Sequence, residues 1–339
     1  MNMKIIIDVM SGDNAPLELI KGASMAAQAY PEAEITVVGQ EDVILRIVKE
    51  ESIPFDRIHI KHAESVIEME DRPLCVVREK KDSSMAVGLE LLKSGEGDAF
   101  VSAGNTGALI AGATLVVRRI KGVQRAGIAT ILPFPNPVML LDSGANLLLT
   151  PENQEQFAIM GATYMEKIFG IEDARVGQLN NGTEYNKGMP LQVESYIALS
   201  KSGVNFVGNV EAKEIPFNAC DVLVVDGFLG NIVLKFMEGM GKFMMKTLKG
   251  LFYSSTIGML SGMMLKKQVK VLKRQFDASE YGGAPLLGIA KPVIKAHGSS
   301  DALAIKNAVR QAIGFVNTGI NEDIERRINE RIQPLSAPQ

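Results

Sequence analysis

Short apolar runs rich in isoleucine and valine alternate along the chain with longer stretches of helical period. The runs are KIIIDVM, EITVVG, RIHIKH, DAFVSAG, GIATIL, VMLLDS, RVGQLN, NFVGNV and DVLVVDG. They read as nine strands, most of the near-continuous apolar kind that a sheet covered on both faces requires. Helices are predicted over 16–29, 42–50, 84–93, 151–169, 191–201, 229–251 and 301–318, the last with Ser300 as N-cap and Asp301 in its first turn. This alternation predicts an α/β fold, a largely parallel sheet flanked by helices, in a single two-lobed unit over residues 1–333. No repeat of 20 to 50 residues is present. Residues 247–276 interrupt the alternation and read as a protruding helical hairpin, and 334–339 as a tail.

Composition narrows the class. Of 339 residues, 46% are apolar and 22% charged, as in an ordinary soluble enzyme. The two cysteines, Cys75 and Cys220, form neither a disulfide framework nor a metal motif, which suits a reducing cytoplasm. MNMKIIIDVM reads as a buried strand rather than a leader. The uncharged run 250–265 is too short for a spanning helix, which needs about 20 apolar residues. The formal net charge of −3 is unevenly spread, because 239–276 holds eight lysines and arginines and no acid. There Leu265, Val269, Leu272 and Phe276 make an apolar stripe flanked by Lys266, Lys267, Lys270, Lys273 and Arg274, a basic amphipathic helix. The run before it offers Leu260, Met263 and Met264.

The chemistry gathers where strands end. Gly104-Asn105, Gly144-Ala145-Asn146, Asn180-Asn181-Gly182, Gly208-Asn209 and Gly230-Asn231 pair glycine with asparagine in loops that follow strands. Glycine admits close backbone approach, asparagine is a neutral donor and acceptor, and the C-terminal ends of parallel strands share one edge. Any one pair is a common turn. Five pairs, joined by Ser102, Thr106, Asp142, Asp226 and the Asp8, Gly12 and Asp13 of DVMSGDNAP, predict a site for phosphate or a polarised carbonyl oxygen. Lys187 can add a point charge, and His297 is as well explained by a loop bond to backbone as by function. GxGxxG after the first strand, GxxxxGK[ST], GxSxG and HExxH are all absent. The expected chemistry joins two bound reactants without a covalent protein nucleophile.

DVMSGDNAP, SAGNTGALIAGA, LLDSGAN, LNNGTEYNKG, GNVE, DVLVVDGFLGN followed by VLK, EYGGAPLLG and IKAHGSSDA occur in this order between Lys4 and about Val316. On these motifs the chain resembles the bacterial phosphate acyltransferase family of phospholipid synthesis, PlsX. Departures are Ser11 where glycine is usual, Ser143 where a small apolar residue is usual, and QLNNGTE in place of a more apolar, acidic version. The resemblance implies a three-layer fold similar to the isocitrate and isopropylmalate dehydrogenase group. It also implies a cytoplasmic homodimer that makes acyl phosphate from acyl-acyl carrier protein and inorganic phosphate, for a membrane glycerol-3-phosphate acyltransferase. It calls for no metal, cofactor or nucleic acid. In this reading phosphate attacks the thioester, Lys187 and the glycine-asparagine edge hold it, and Asn231 holds the oxyanion. Asp226 orients Asn231 or Lys187, and His297 is a candidate proton donor to the thiolate. The basic arm serves a membrane surface, the carrier protein or packing on a partner subunit. Rival functions are a phosphotransacylase of acyl-coenzyme A and a non-catalytic membrane-associated scaffold.

Overall fold

The computed structural model describes residues 2–269 and 282–332. All nine expected strands form: β1 (Met3–Asp8), β2 (Ala33–Gly39), β3 (Ile58–His62), β4 (Ala99–Ser102), β5 (Gly127–Leu132), β6 (Val138–Leu141), β7 (Arg175–Asn180), β8 (Asn205–Glu211) and β9 (Val222–Val224). Two more, β10 (Ala284–Leu287) and β11 (Val293–Lys295), complete one eleven-stranded sheet of order β3-β2-β1-β4-β11-β10-β5-β6-β9-β7-β8.

The helices are α1 (Leu17–Ala29), α2 (Glu41–Glu50), α3 (Ser84–Ser94), α4 (Thr106–Gly112), α5 (Pro151–Phe169), α6 (Pro190–Ser200), α7 (Gly227–Tyr253), α8 (Thr256–Met264), α9 (Ala302–Thr318) and α10 (Ile320–Ile332). They cover both faces of the sheet. Ile5 and Ile7 of β1 pack in a layer with Leu19 and Ile20 of α1 and Ile305 and Val309 of α9. Ile6, between them, packs on the other side with Leu89 of α3 and Leu109 of α4. This is why β1 is apolar without alternation.

The sheet is not a single parallel run. β5 is antiparallel to both β10 and β6, so β6, β9, β7 and β8, which are mutually parallel, point opposite to β1, β4 and β11. The expectation of one shared C-terminal edge is corrected accordingly. Two edges meet instead. Lys295 pairs with Ser102 and Ala284, Leu286 with Ile128, and Ala129 with Leu141. Followed across the sheet, Leu141 and Val224 end one residue from the level of Ser102 and Lys295. The C-terminal ends of the two opposed halves therefore come to nearly the same level in mid-sheet.

The helix α7 spans that meeting place. Asp226 caps it, accepting the Leu229 N–H at 2.9 Å. Its first turns cover the second half of the sheet through Leu229, Val233, Leu234 and Met237. The rest extends away from the sheet, and α8 folds back on it, with Gly262 close against Phe252. Lys270, Lys273 and Arg274 of the expected basic stripe lie outside the described residues. At α9 the N-cap is Asp301, which accepts from Ala304 N at 2.8 Å, rather than Ser300, whose hydroxyl is buried without a partner.

Candidate active site

Three loop clusters follow the C-terminal ends of strands, and α7 links two of them across the gap between the half-sheets. The first follows β1, β4 and β11. Asp8 is fully buried and accepts from the Ser102 hydroxyl at 2.8 Å and from Met10 N at 3.2 Å. Burial pushes its pKa up, and the hydroxyls of Ser84, Ser102 and Ser11 oppose that rise. Ser102 in turn accepts from Gly104 N at 3.2 Å. A side chain at Gly104 would strike Ser11, its Cβ only 2.7 Å from the Ser11 Cβ. Gly12 has φ +130°, and next to it Asp13 N donates to Gly298 O at 2.8 Å. Asn14 extends the tie to Ser299 O and Ser300 O. The SGDN and HGSS turns are therefore one rigid corner.

Lys295 and His297 occupy this corner. Burial, reinforced by Lys235 of α7, lowers the Lys295 ammonium to about 8, against the pull of Asp13 and Glu238. Burial and the same two lysines lower His297 as well. Its Nδ1 accepts the Ser299 N–H at 3.2 Å, which puts the ring proton on Nε2. Asn105, expected here as a ligand, is consumed by the protein. It caps α4 through Ala108 N and donates to the carbonyls of Glu68, Met69 and Asp71. Thr106 opens α4 beside it.

The second cluster follows β6 and β9. Asp142, fully buried, accepts six hydrogen bonds of 2.7–3.1 Å, from Ile128 N, Gly144 N, Ala145 N (to both oxygens), Asn146 N and Asn146 Nδ2. Burial raises its pKa and these donors act against the rise. Asn146 also donates to Ala126 O at 2.7 Å, and its own carbonyl accepts from Gly227 N at 2.7 Å. A Cβ at Gly227 would lie 2.9 Å from Asp142 Oδ2, and one at Gly230 would overlap the Asp142 carbonyl. The α7 N-terminus is thus pressed onto the Asp142 loop. Asp226 secures it as N-cap through one carboxylate oxygen. Asn231, one turn in, is exposed and lies against Gly144, and among the described residues no protein group bonds its side chain.

The third cluster follows β7 and β8. Asn209 donates to Glu184 O at 2.7 Å and accepts from Gln178 at 2.9 Å, while Asn180 donates to Lys187 O at 2.9 Å. These two buried asparagines pin the backbone of 181–188. Asn181 and Lys187 are exposed on it, the ammonium 4.0 Å from Glu184. Of the six asparagines in those groups, 105, 146, 180 and 209 therefore build loops, and among the described residues only 181 and 231 have side-chain amides without a bonded protein partner.

Two lysines were not anticipated. Lys235 lies four residues beyond Asn231, on the same face of α7, and is paired with Glu238 at 2.8 Å. Lys295 ends β11. Both stood in motifs already recognised, VLK and IKAHGSSDA. No thiol is available as a nucleophile: Cys220 is buried, its pKa raised to about 12, and burial raises Cys75 too. The described residues contain no metal-ligating cluster. What remains is a set of neutral donors and three lysines suited to an anion and a developing oxyanion.

A family model described as fatty acid synthesis protein matches residues 3–323. The chain is 45% identical over 335 residues to a phosphate acyltransferase of Thermoanaerobacter pseudethanolicus, covering 98% of this chain and 100% of the relative. It is 43% identical over 330 residues to one of Clostridioides difficile, covering 97% of each. Among solved structures it resembles a phosphotransacetylase from Streptococcus pyogenes, with TM-score 0.63, 17% identity and coverage of 93% and 94%. It also resembles a branched-chain phosphotransacylase from Enterococcus faecalis, with TM-score 0.55, 12% identity and coverage of 93% and 99%. These two likenesses bear on the fold alone.

Proposed function

The chain belongs to the phosphate acyltransferase family, and we propose that it makes acyl phosphate from acyl-acyl carrier protein and inorganic phosphate, supplying the acylation of glycerol 3-phosphate. The observation that carries the site assignment is the face of α7 that joins Asn231 to Lys235 and, through it, to Lys295 and His297. Phosphate, already a nucleophile near neutral pH, rests between Lys235 and the Lys187 loop. One oxygen is aimed at the thioester carbon, whose carbonyl oxygen takes the Asn231 amide. Asp8, Ser102, Gly12, Asp13 and Gly104 form the rigid floor, and Asp142 with Asn146 and Gly230 sets the height of α7.

The carrier protein as donor is favoured by charge. α7 presents Lys242, Lys246 and Lys249, Lys266 and Lys267 follow α8, and no acid lies from 239 to 269. An acidic carrier would dock on this arm electrostatically. Acyl hydroxamate should form from acyl-carrier protein and phosphate when hydroxylamine traps the product. Its initial rate should fall roughly tenfold as salt rises well past physiological strength. A rate that is flat with salt, with acyl-coenzyme A turned over faster, would instead assign coenzyme A as the natural thiol.

The same arm suits the surface of an anionic membrane. Met263 and Met264 are 66% and 84% exposed, beside Lys266 and Lys267. Bulky apolar tips and lysines together favour interfacial binding, with about 1 kcal/mol per lysine near anionic lipid. No helix among the described residues is long and apolar enough to cross a membrane. Flotation with phosphatidylglycerol vesicles should recover the protein, and Met263→Glu with Met264→Glu should leave it at the bottom of the gradient. Unchanged flotation of the double variant would remove the arm from membrane contact. A cytoplasmic homodimer attached peripherally to the membrane completes the reading.

A further inference from the structure

We propose that Lys295 is a catalytic residue of this acyl transfer, the acid that delivers a proton to the departing thiolate. The inference rests on the function proposed above and assigns a step that the reading of the sequence gave to His297.

Position comes first. Lys295 is the last residue of β11, level with Ser102, where the opposed half-sheets meet. The charged and titratable groups facing it are Asp13 from the loop after β1, Lys235 and Glu238 from α7, and His297 from its own loop. Asp8 is screened from it by Ser102, which holds that carboxylate. Lys235 already has Glu238 as a partner at 2.8 Å, whereas no side-chain bond occupies Lys295 among the described residues. The other candidates are worse donors. His297 takes an N–H on Nδ1, and partial burial and two lysines lower its pKa. Lys187 stands in water on its loop. The half-buried Lys295, at about 8, is matched to an alkyl thiol of pKa about 8.5, and matched acids are the efficient ones.

The step balances without a co-reactant. An oxygen of monohydrogen phosphate forms the new C–O bond, and the tetrahedral intermediate then expels sulfur with the C–S electron pair. Lys295 Nζ gives its proton to that sulfur. The resulting amine takes the proton that phosphate brought in, so the acyl phosphate leaves without it and the lysine is recharged. Lys235 stays charged throughout and supplies the fixed cation.

Two measurements test this. In the wild-type enzyme, kcat/KM for phosphate with an alkyl thioester such as acyl-pantetheine should fall as pH rises through about 8, because the protonated lysine is the active form. With the acyl thioester of a nitrothiophenol, whose thiolate leaves unaided, that alkaline limb should vanish. Lys295→Arg keeps the charge but cannot release a proton. It should lose about 100-fold in kcat on the alkyl thioester and less than about fivefold on the aryl one, with KM for phosphate nearly unchanged. Equal losses on both thioesters, an alkaline limb that persists with the aryl thioester, or an arginine variant within threefold of wild type on the alkyl one would overturn the assignment. If the wild-type protein made no acyl hydroxamate from phosphate and any thioester, the function itself would be wrong, a distinct outcome.

Discussion

Asp142→Ala should destabilise the protein by about 4 kcal/mol or more, visible as a drop of roughly 6 °C in the midpoint of thermal unfolding. Removing the carboxylate strands five N–H donors that now converge on it: those of Ile128, Gly144, Ala145 and Asn146 and the Asn146 side chain. Each buried donor left without an acceptor costs about 1–3 kcal/mol, and partial access of water at the loop recovers only some of that. Asp142→Asn should be nearly as damaging, although it preserves shape. Each carboxylate oxygen accepts only from N–H groups, so the new NH2 would face a donor in either orientation. Activity should fall with stability, because Gly227 and Gly230 seat α7 directly on this loop. An asparagine variant that melts with the wild type would show that the loop does not depend on the carboxylate.

This hub was visible in the sequence only as a shape. LLDSGAN could be recognised as a strand running into a glycine-asparagine turn, since apolar content and turn chemistry are local properties. The direction of Asn146, inward to the carboxylate and to Ala126, is a tertiary fact. The same holds for Asn105 and Asn209, which read as ligands and proved to be braces for loops distant in sequence. Helices followed their period closely, and α5 kept its expected bounds. α10 was missed although Ile320, Ile324 and Ile328 are buried at a spacing of four; its stripe is narrow and the rest of INEDIERRINERI is charged or polar. β10 and β11 were missed because four and three residues, one of them Pro285, carry no readable alternation. That loss mattered most: these strands reverse direction in mid-sheet, and β11 delivers Lys295.

Asn231→Ala should lower kcat by about 100-fold to 1,000-fold while leaving KM for phosphate within about threefold, the loss expected when one oxyanion donor is removed. The side chain is exposed and bonds to no group among the described residues, so the variant should fold and melt normally, and the loss can be assigned to chemistry. Its location fixes the role. Asn231 is held against Gly144 by the capped and tightly seated start of α7, so its amide can await a developing charge without reorganising. Lys187→Ala should behave differently, raising KM for phosphate about tenfold with a smaller change in kcat, because a cation on a loop braced at Glu184 O and Lys187 O contributes to binding in ground and transition states alike. If the asparagine variant lost only phosphate affinity and the lysine variant only kcat, the two roles would have to be exchanged. If both stayed within threefold of wild type, the reaction centre would lie away from the α7 N-terminus, and the meeting of the two half-sheets would be architecture alone.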